Sequence, residues 1–292
     1  MGERIYDTLT HLLSERFQTT VKILARRPVS GGCIHNAEYV KTNVGEFFFK
    51  HNARSHYENF QAEADGLRQL QSTNTLAVPT VHLVAATEHD ALLVLEYIVQ
   101  GVPSAKFWET FGEQLAALHR HTQMTFGYVR DNFIGALPQR NRPHSSWVEF
   151  FICERLQPMV ERAVAAGQMT TNAVQRFESL YPKLPSIFPS EPPALLHGDL
   201  WSGNFLCNAQ GNPVVFDPAV YFGHREAELA FMHLFGGFDQ RLFDAYHCTF
   251  PLAPNWRARI DLYNLYPLLV HLNLFGRSYW SAIDTTLRRY GA

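Results

Sequence analysis

Three polar residues in the second half of the chain have the types and spacing to hold a metal ion beside a proton acceptor. They are Asp199 and Asn204, within Leu195-Leu196-His197-Gly198-Asp199-Leu200-Trp201-Ser202-Gly203-Asn204, and Asp217, which ends the apolar run Pro213 to Phe216. The segment FLCNAQGNPVVFD reads as two short strands around an Asn-Ala-Gln-Gly-Asn turn. If Phe205 to Cys207 pairs antiparallel with Val214 to Phe216 so that 205 faces 216, the same register puts Asn204 opposite Asp217. Directly opposed residues lie ~5 Å apart, close enough to share one cation. An amide oxygen and a carboxylate suit magnesium, a hard ion usually shared with substrate phosphates. Asp199, five residues before Asn204, is then placed to accept the proton of a substrate hydroxyl.

These residues need two kinds of scaffold. Ile5, Leu9, Leu12, Leu13 and Phe17 recur at helical spacing, so a helix is expected over 4–17. VKILARRPV, AEYVKT and EFFFK read as strands of an antiparallel meander, QAEADGLRQL as a helix, and VPTVHLV and ALLVLEYI as two more strands. From Phe107 onward the apolar positions fall at helical spacing, with further helices expected over about 146–164, 171–181, 224–235 and 257–283. The fold class is therefore α+β. At 292 residues the chain exceeds the usual size of one core, and two lobes with a cleft between them are expected, 1–97 and 98–292.

Composition narrows the class. With 46% apolar and 18% charged residues the chain is globular, and a net charge of -2 gives no electrostatic reason for a nucleic-acid or anionic-membrane partner. No stretch is apolar for long enough to span a bilayer, so a soluble cytoplasmic protein is expected. Cys33, Cys153, Cys207 and Cys248 form no Cys-x-x-Cys pair and are expected to be reduced thiols.

An Asp, an Asn five positions later and a second Asp beyond a hairpin resemble the catalytic loop and metal-binding Asp of protein kinases. His197-Gly198-Asp199, and Pro218-Ala219 after Asp217, resemble the small-molecule branch of that fold, which includes aminoglycoside and choline kinases. The resemblance implies a two-lobed protein-kinase-like fold with ATP and magnesium as cofactors. In it Lys50 and Glu63 correspond to the pair that holds the α- and β-phosphates, and the backbone of Glu96 and Ile98 to the hinge facing adenine. Ser30-Gly31-Gly32-Cys33 lies between strands, where glycines let N–H groups of Gly31, Gly32 and Cys33 approach phosphate oxygens. Anion-directed N–H groups also favour a thiolate, so Cys33 is a candidate redox residue, and the chain is expected to be a monomer or a redox-linked homodimer.

Trp201-Ser202-Gly203, Asp217-Pro218-Ala219 with Tyr221-Phe222-Gly223-His224-Arg225-Glu226, and Leu234-Phe235-Gly236-Gly237-Phe238 are more specific. Together they are similar to fructosamine kinases and their bacterial relatives, and the likeness covers nearly the whole chain. It implies transfer of the ATP γ-phosphoryl group to a sugar hydroxyl of a ketoamine, a small-molecule glycated amine. The indole of Trp201, two residues from Asp199, suits a sugar's C–H face. His271 and Asn273, on a helix expected to line the same cleft, are further acceptor-binding candidates. The alternatives are a kinase of this fold acting on an aminoglycoside or other amino alcohol, and a nucleotide-binding regulatory module without catalysis.

Overall fold

The computed structural model describes residues 2–29 and 36–291. The calls on Gly31, Gly32 and Cys33 lie outside the described residues. The chain forms two compact units, residues 1–107 with 205–217, and residues 108–204 with 218–292. A single cut after residue 97 therefore misses part of the first unit. The segment after residue 97 and the hairpin are tied together: the Gly101 N–H donates to the Cys207 carbonyl at 2.9 Å, and the Val215 N–H reaches back to the Ala77 carbonyl at 3.0 Å.

In the first unit helix α1 (Gly2–Phe17) precedes strands β1 (Ile23–Pro28), β2 (Asn36–Thr42) and β3 (Glu46–Ala53), followed by helix α2 (Tyr57–Ser72) and strands β4 (Val81–Ala86) and β5 (Asp90–Glu96). The five strands form one antiparallel sheet in the order β1-β2-β3-β5-β4. The first three strands form the expected meander. β5 then pairs with β3, because its near-continuous apolar run, Ala91 to Leu95, is fully buried and needs a neighbour on each side.

The second unit is mainly helical. Helix α3 (Phe107–Leu118) begins at its border, and α4 (Trp147–Phe150) runs through a π-helical turn, Phe151–Leu156, into α5 (Gln157–Ala165). Then come α6 (Thr171–Leu180), α7 (Arg225–Phe235), α8 (Gln240–Thr249), α9 (Ile260–Tyr263), α10 (Leu265–Phe275) and α11 (Trp280–Arg289). Two departures from the sequence reading have clear causes. The stretch expected to be one helix over 257–283 is broken at Gly276, whose φ of 92° ends α10. Helix α8 was not foreseen; Asp239 caps it by accepting from the Arg241 N–H at 2.9 Å, and it buries Leu242, Phe243 and Tyr246 at helical spacing. Its core is built from α4, α5, α6, α10 and α11 around Phe150, Phe177, Leu180, Leu269, Leu272 and Ile283.

Candidate active site

Strand alternation places Lys50. In β3 the rings of Phe47 and Phe49 join the cluster of Ile5, Leu9 and Leu13 from α1, so Phe48 and Lys50 project from the opposite face. Lys50 is buried there, and its ammonium donates to Glu63 Oε1 at 2.8 Å and to Asp217 Oδ1. Glu63 lies on α2 three residues after Phe60 and four before Leu67, both fully buried, so the apolar stripe that docks the helix also aims the carboxylate. Burial opposes the charge on Lys50, yet the carboxylates of Asp217 and Glu63 outweigh it and hold the lysine above its ordinary pKa. Burial, helped by the nearby Asp217 charge, pushes Glu63 upward against the pull of Lys50. One ammonium thus holds two carboxylates.

The hairpin register differs from expectation. Phe205 faces Val215, Leu206 faces Val214 and Cys207 faces Pro213, so Phe216 lies outside the ladder and pairing does not carry Asn204 opposite Asp217. The turn sets this register: the Asn208 N–H donates to the Asn212 carbonyl at 2.9 Å and Gly211 adopts a φ of 80°. Beyond the ladder the backbone of Asp217 has a φ of 55°, which turns the chain out of the extended conformation. A left-handed non-glycine residue costs roughly 1–2 kcal/mol, and strain of this kind concentrates at functional positions. At the end of β5, the Glu96 N–H donates to the Thr80 carbonyl at 2.8 Å. Ile98 follows β5 and is half-buried.

In the second unit the strand Ala194–Leu196 is fully buried and pairs with Tyr221–Gly223. The chain leaves it through Gly198, with φ of 85°, where a Cβ would stand 2.1 Å from the Ala219 carbonyl oxygen; only glycine fits. Glu228, buried on α7, accepts the N–H of His197 at 3.1 Å, the N–H of Gly198 at 2.7 Å and Nε2–H of His119 at 2.9 Å. Nδ1 of His119 pairs with the Tyr246 hydroxyl at 2.7 Å. Burial opposes ionisation of Glu228, but these donors outweigh it and hold the carboxyl below its ordinary range.

That arrangement predicts the effect of Glu228→Gln. The amide keeps one acceptor and turns an NH2 toward N–H donors, at a cost of about 1–3 kcal/mol for the unsatisfied groups. Because the native pKa is depressed, the carboxylate's contribution is present above the ordinary carboxyl pKa and lost as pH falls through the lowered native value. Wild type should therefore be the more stable protein at neutral pH, with the difference shrinking under acid. Denaturant unfolding at several pH values checks this, and a constant difference contradicts it.

Asn204 Nδ2 donates to the Asp199 carbonyl at 2.8 Å and to Asp199 Oδ2 at 3.0 Å. Both donations fix the amide so that its oxygen turns away from Asp199. The oxygen of Asn204 and the carboxylate of Asp217 are hard donors of the type magnesium takes, and Asp217 already attracts a cation, the Lys50 ammonium. By donor type, each of these residues suits the ion.

Trp201 is 38% exposed, a projecting indole and not a core tryptophan. Its ring lies against Gly203, where a Cβ would come within 2.3 Å of the indole. Gly203→Ala should therefore swing the ring aside without unfolding the protein. If the indole packs on the acceptor, KM for the acceptor rises about three- to tenfold while KM for ATP holds. Steady-state kinetics at saturating ATP reads this out, and an unchanged acceptor KM contradicts it.

Asp199 also walls a cavity that is mostly apolar, shared with Gly198, Phe231, Tyr266, Val270 and His271. Behind it, the buried guanidinium of Arg155, from the π-helical turn, lies 4.1 Å from the centre of the Tyr221 ring. His271 therefore lines the cavity that Asp199 walls. Asn273 does not: its Nδ2 donates to the Met159 carbonyl at 3.0 Å and to the Leu269 carbonyl at 2.8 Å, tying α10 to α5. Residues two apart on a helix do not share a face, which corrects the expectation that both line one cleft.

Against this geometry, the family model described as fructosamine kinase matches residues 5–291. The chain belongs to the fructosamine kinase family. A probable ketoamine kinase of Enterococcus faecium is 36% identical over 265 residues, covering 90% of this chain and 94% of the relative. A chloroplastic protein-ribulosamine 3-kinase of rice is 34% identical over 275 residues, 92% of this chain and 79% of the relative. The crystal structure of a proposed fructosamine-3-kinase from Thermobifida fusca superposes with a TM-score of 0.85 at 35% identity, over 97% of this chain and 98% of the other. An aminoglycoside phosphotransferase gives a TM-score of 0.63 at 17% identity over 98% and 99% of the two chains. The fold is the two-lobed protein-kinase-like α+β fold.

Of the expected site residues, the structure joins Lys50, Glu63 and Asp217 in one unit, and Asp199 with Asn204 and with His271 in the other. Glu228 and His119 were missed. A detectable signal for Glu228 existed: it is an acid set among Ala227, Leu229 and Ala230.

Proposed function

We infer that this fructosamine-kinase-family protein transfers the γ-phosphoryl group of ATP to a sugar hydroxyl of a ketoamine. The observation that carries the reading is Asp199, fixed by Asn204 at the wall of a cavity, in a chain that matches the family from residue 5 to 291. Asp199 orients the acceptor hydroxyl and takes its proton. Asn204 holds Asp199 through Nδ2, and its oxygen is assigned, with the carboxylate of Asp217, to magnesium. When bound, that ion supplies charge neutralisation on the phosphate oxygens. Lys50 binds phosphate, Glu63 positions Lys50, and the backbones of Gly31, Gly32 and Cys33 are assigned to the triphosphate. The carbonyl of Glu96 and the backbone of Ile98 are assigned to adenine, and Trp201 and His271 to the acceptor.

Likeness to aminoglycoside phosphotransferases at 17% identity speaks for the fold alone and gives no support to an antibiotic acceptor. Free thiols at Cys153, Cys207 and Cys248 support a reducing compartment, and we place the protein in the cytoplasm. No helix among the described residues is long and apolar enough to cross a membrane. Coupled measurement of ADP release tests the acceptor class. Ribulosamines or fructosamines should stimulate it and aminoglycosides should not; faster release with an aminoglycoside overturns the reading.

A further inference from the structure

His271 lies on the wall of the Asp199 cavity. The imidazole stands among three more rings, with centroids 4.7 Å from Phe235, 5.1 Å from Tyr279 and 5.4 Å from Phe275. Phe231, which lines the cavity, is 5.3 Å from Phe235. An aromatic wall therefore runs from the Asp199 cavity to the surface, where Phe235 is 36% and Phe275 60% exposed. Exposed phenylalanines are costly to solvate, and here two of them stand side by side around one imidazole.

The helix dipoles at this wall share one sign. Phe235 is the last residue of α7 and Phe275 the last of α10, and each is followed by a glycine of positive φ, Gly236 at 67° and Gly276 at 92°. Two helix C-termini therefore converge on the rings, and the carbonyls there carry partial negative charge. His271 adds an acceptor. Its Nδ1 lies 2.8 Å from the Pro267 carbonyl, so that nitrogen carries the ring proton and Nε2 presents a lone pair. Burial lowers the pKa of the ring, keeping it neutral. Arg277, between Phe275 and Tyr279, opposes a cation, but it is exposed, where solvent screens its charge.

We propose that Phe235, His271, Phe275 and Tyr279 form a subsite for the positively charged amine of the acceptor, whose sugar hydroxyl lies at Asp199. Aromatic faces, helix C-termini and a neutral imidazole acceptor all favour a cation, and an alkylamine is protonated at neutral pH. The inference rests on the phosphotransfer reading above and extends it: the site selects the charge on nitrogen as well as the sugar.

The test compares a ketoamine bearing a secondary amine with its isosteric ether, in which oxygen replaces that nitrogen. Wild type should favour the amine by about tenfold in kcat/KM, the range of a partly desolvated cation–π contact. Phe235→Leu and Phe275→Leu keep apolar bulk but remove the ring, and each should lower that ratio severalfold through KM. Benzyltrimethylammonium should compete with the amine acceptor, and more weakly in both variants. Equal use of amine and ether by wild type overturns the subsite and leaves the kinase reading standing, and so does an unchanged ratio in both variants. Turnover of neither acceptor removes the kinase reading and the subsite with it.

Discussion

Asp199→Ala should lower turnover about a thousandfold, within the range of a lost general base, while ATP affinity stays close to that of wild type. The geometry supports a clean experiment. Asn204 Nδ2 loses Asp199 Oδ2 but keeps the Asp199 backbone carbonyl at 2.8 Å, and Glu228 still holds the N–H groups of His197 and Gly198. The loop should therefore stay in place. Because the role assigned to Asp199 concerns the acceptor, the loss should appear in kcat and not in nucleotide binding. Turnover within about tenfold of wild type contradicts the assignment, since a positioned base contributes more than that.

Lys50→Met should remove nucleotide-dependent activity and also destabilise the fold by about 3 kcal/mol, the low end of the cost of leaving a buried carboxylate, here Glu63, without its partner. Lys50 is the cation between Glu63 and Asp217, and its side chain and that of Glu63 are only 8% and 12% exposed. Methionine fills the lysine stem's volume but leaves two carboxylates facing one another. A second change distinguishes this account from simple misfolding: Glu63→Gln in the Lys50→Met background removes one of the repelling charges and should recover part of the stability, without recovering activity. Denaturant unfolding of the single and double variants reads this out. Equal stability of Lys50→Met and wild type contradicts the account.

The parts of the site that depend on local spacing were legible in the sequence. Alternation in EFFFK fixes which face Lys50 leaves, and helical spacing in QAEADGLRQL fixes the face of Glu63, so their meeting follows from two short periodicities. The hairpin was legible as a hairpin, yet its register differs by one because the residue types do not fix where the turn closes, here between Asn208 and Asn212. His271 and Asn273 show the same limit. Their proximity in sequence suggested a shared cleft, whereas the 3.6-residue turn sends one to Asp199's cavity and the other to the Met159 carbonyl. The anchoring of the catalytic loop by Glu228 and His119 joins residues 109 positions apart, a contact that only the assembled fold defines.

The central claim is tested most directly by the mass of the acceptor after incubation with purified protein, ATP and magnesium. The account predicts that a ribulosamine or fructosamine gains one phosphoryl group, with one ADP formed per acceptor modified, and that the Asp199→Ala protein gives almost none. ATP consumption with the acceptor mass unchanged, or phosphorylation that the Asp199→Ala protein sustains at the wild-type rate, would contradict it.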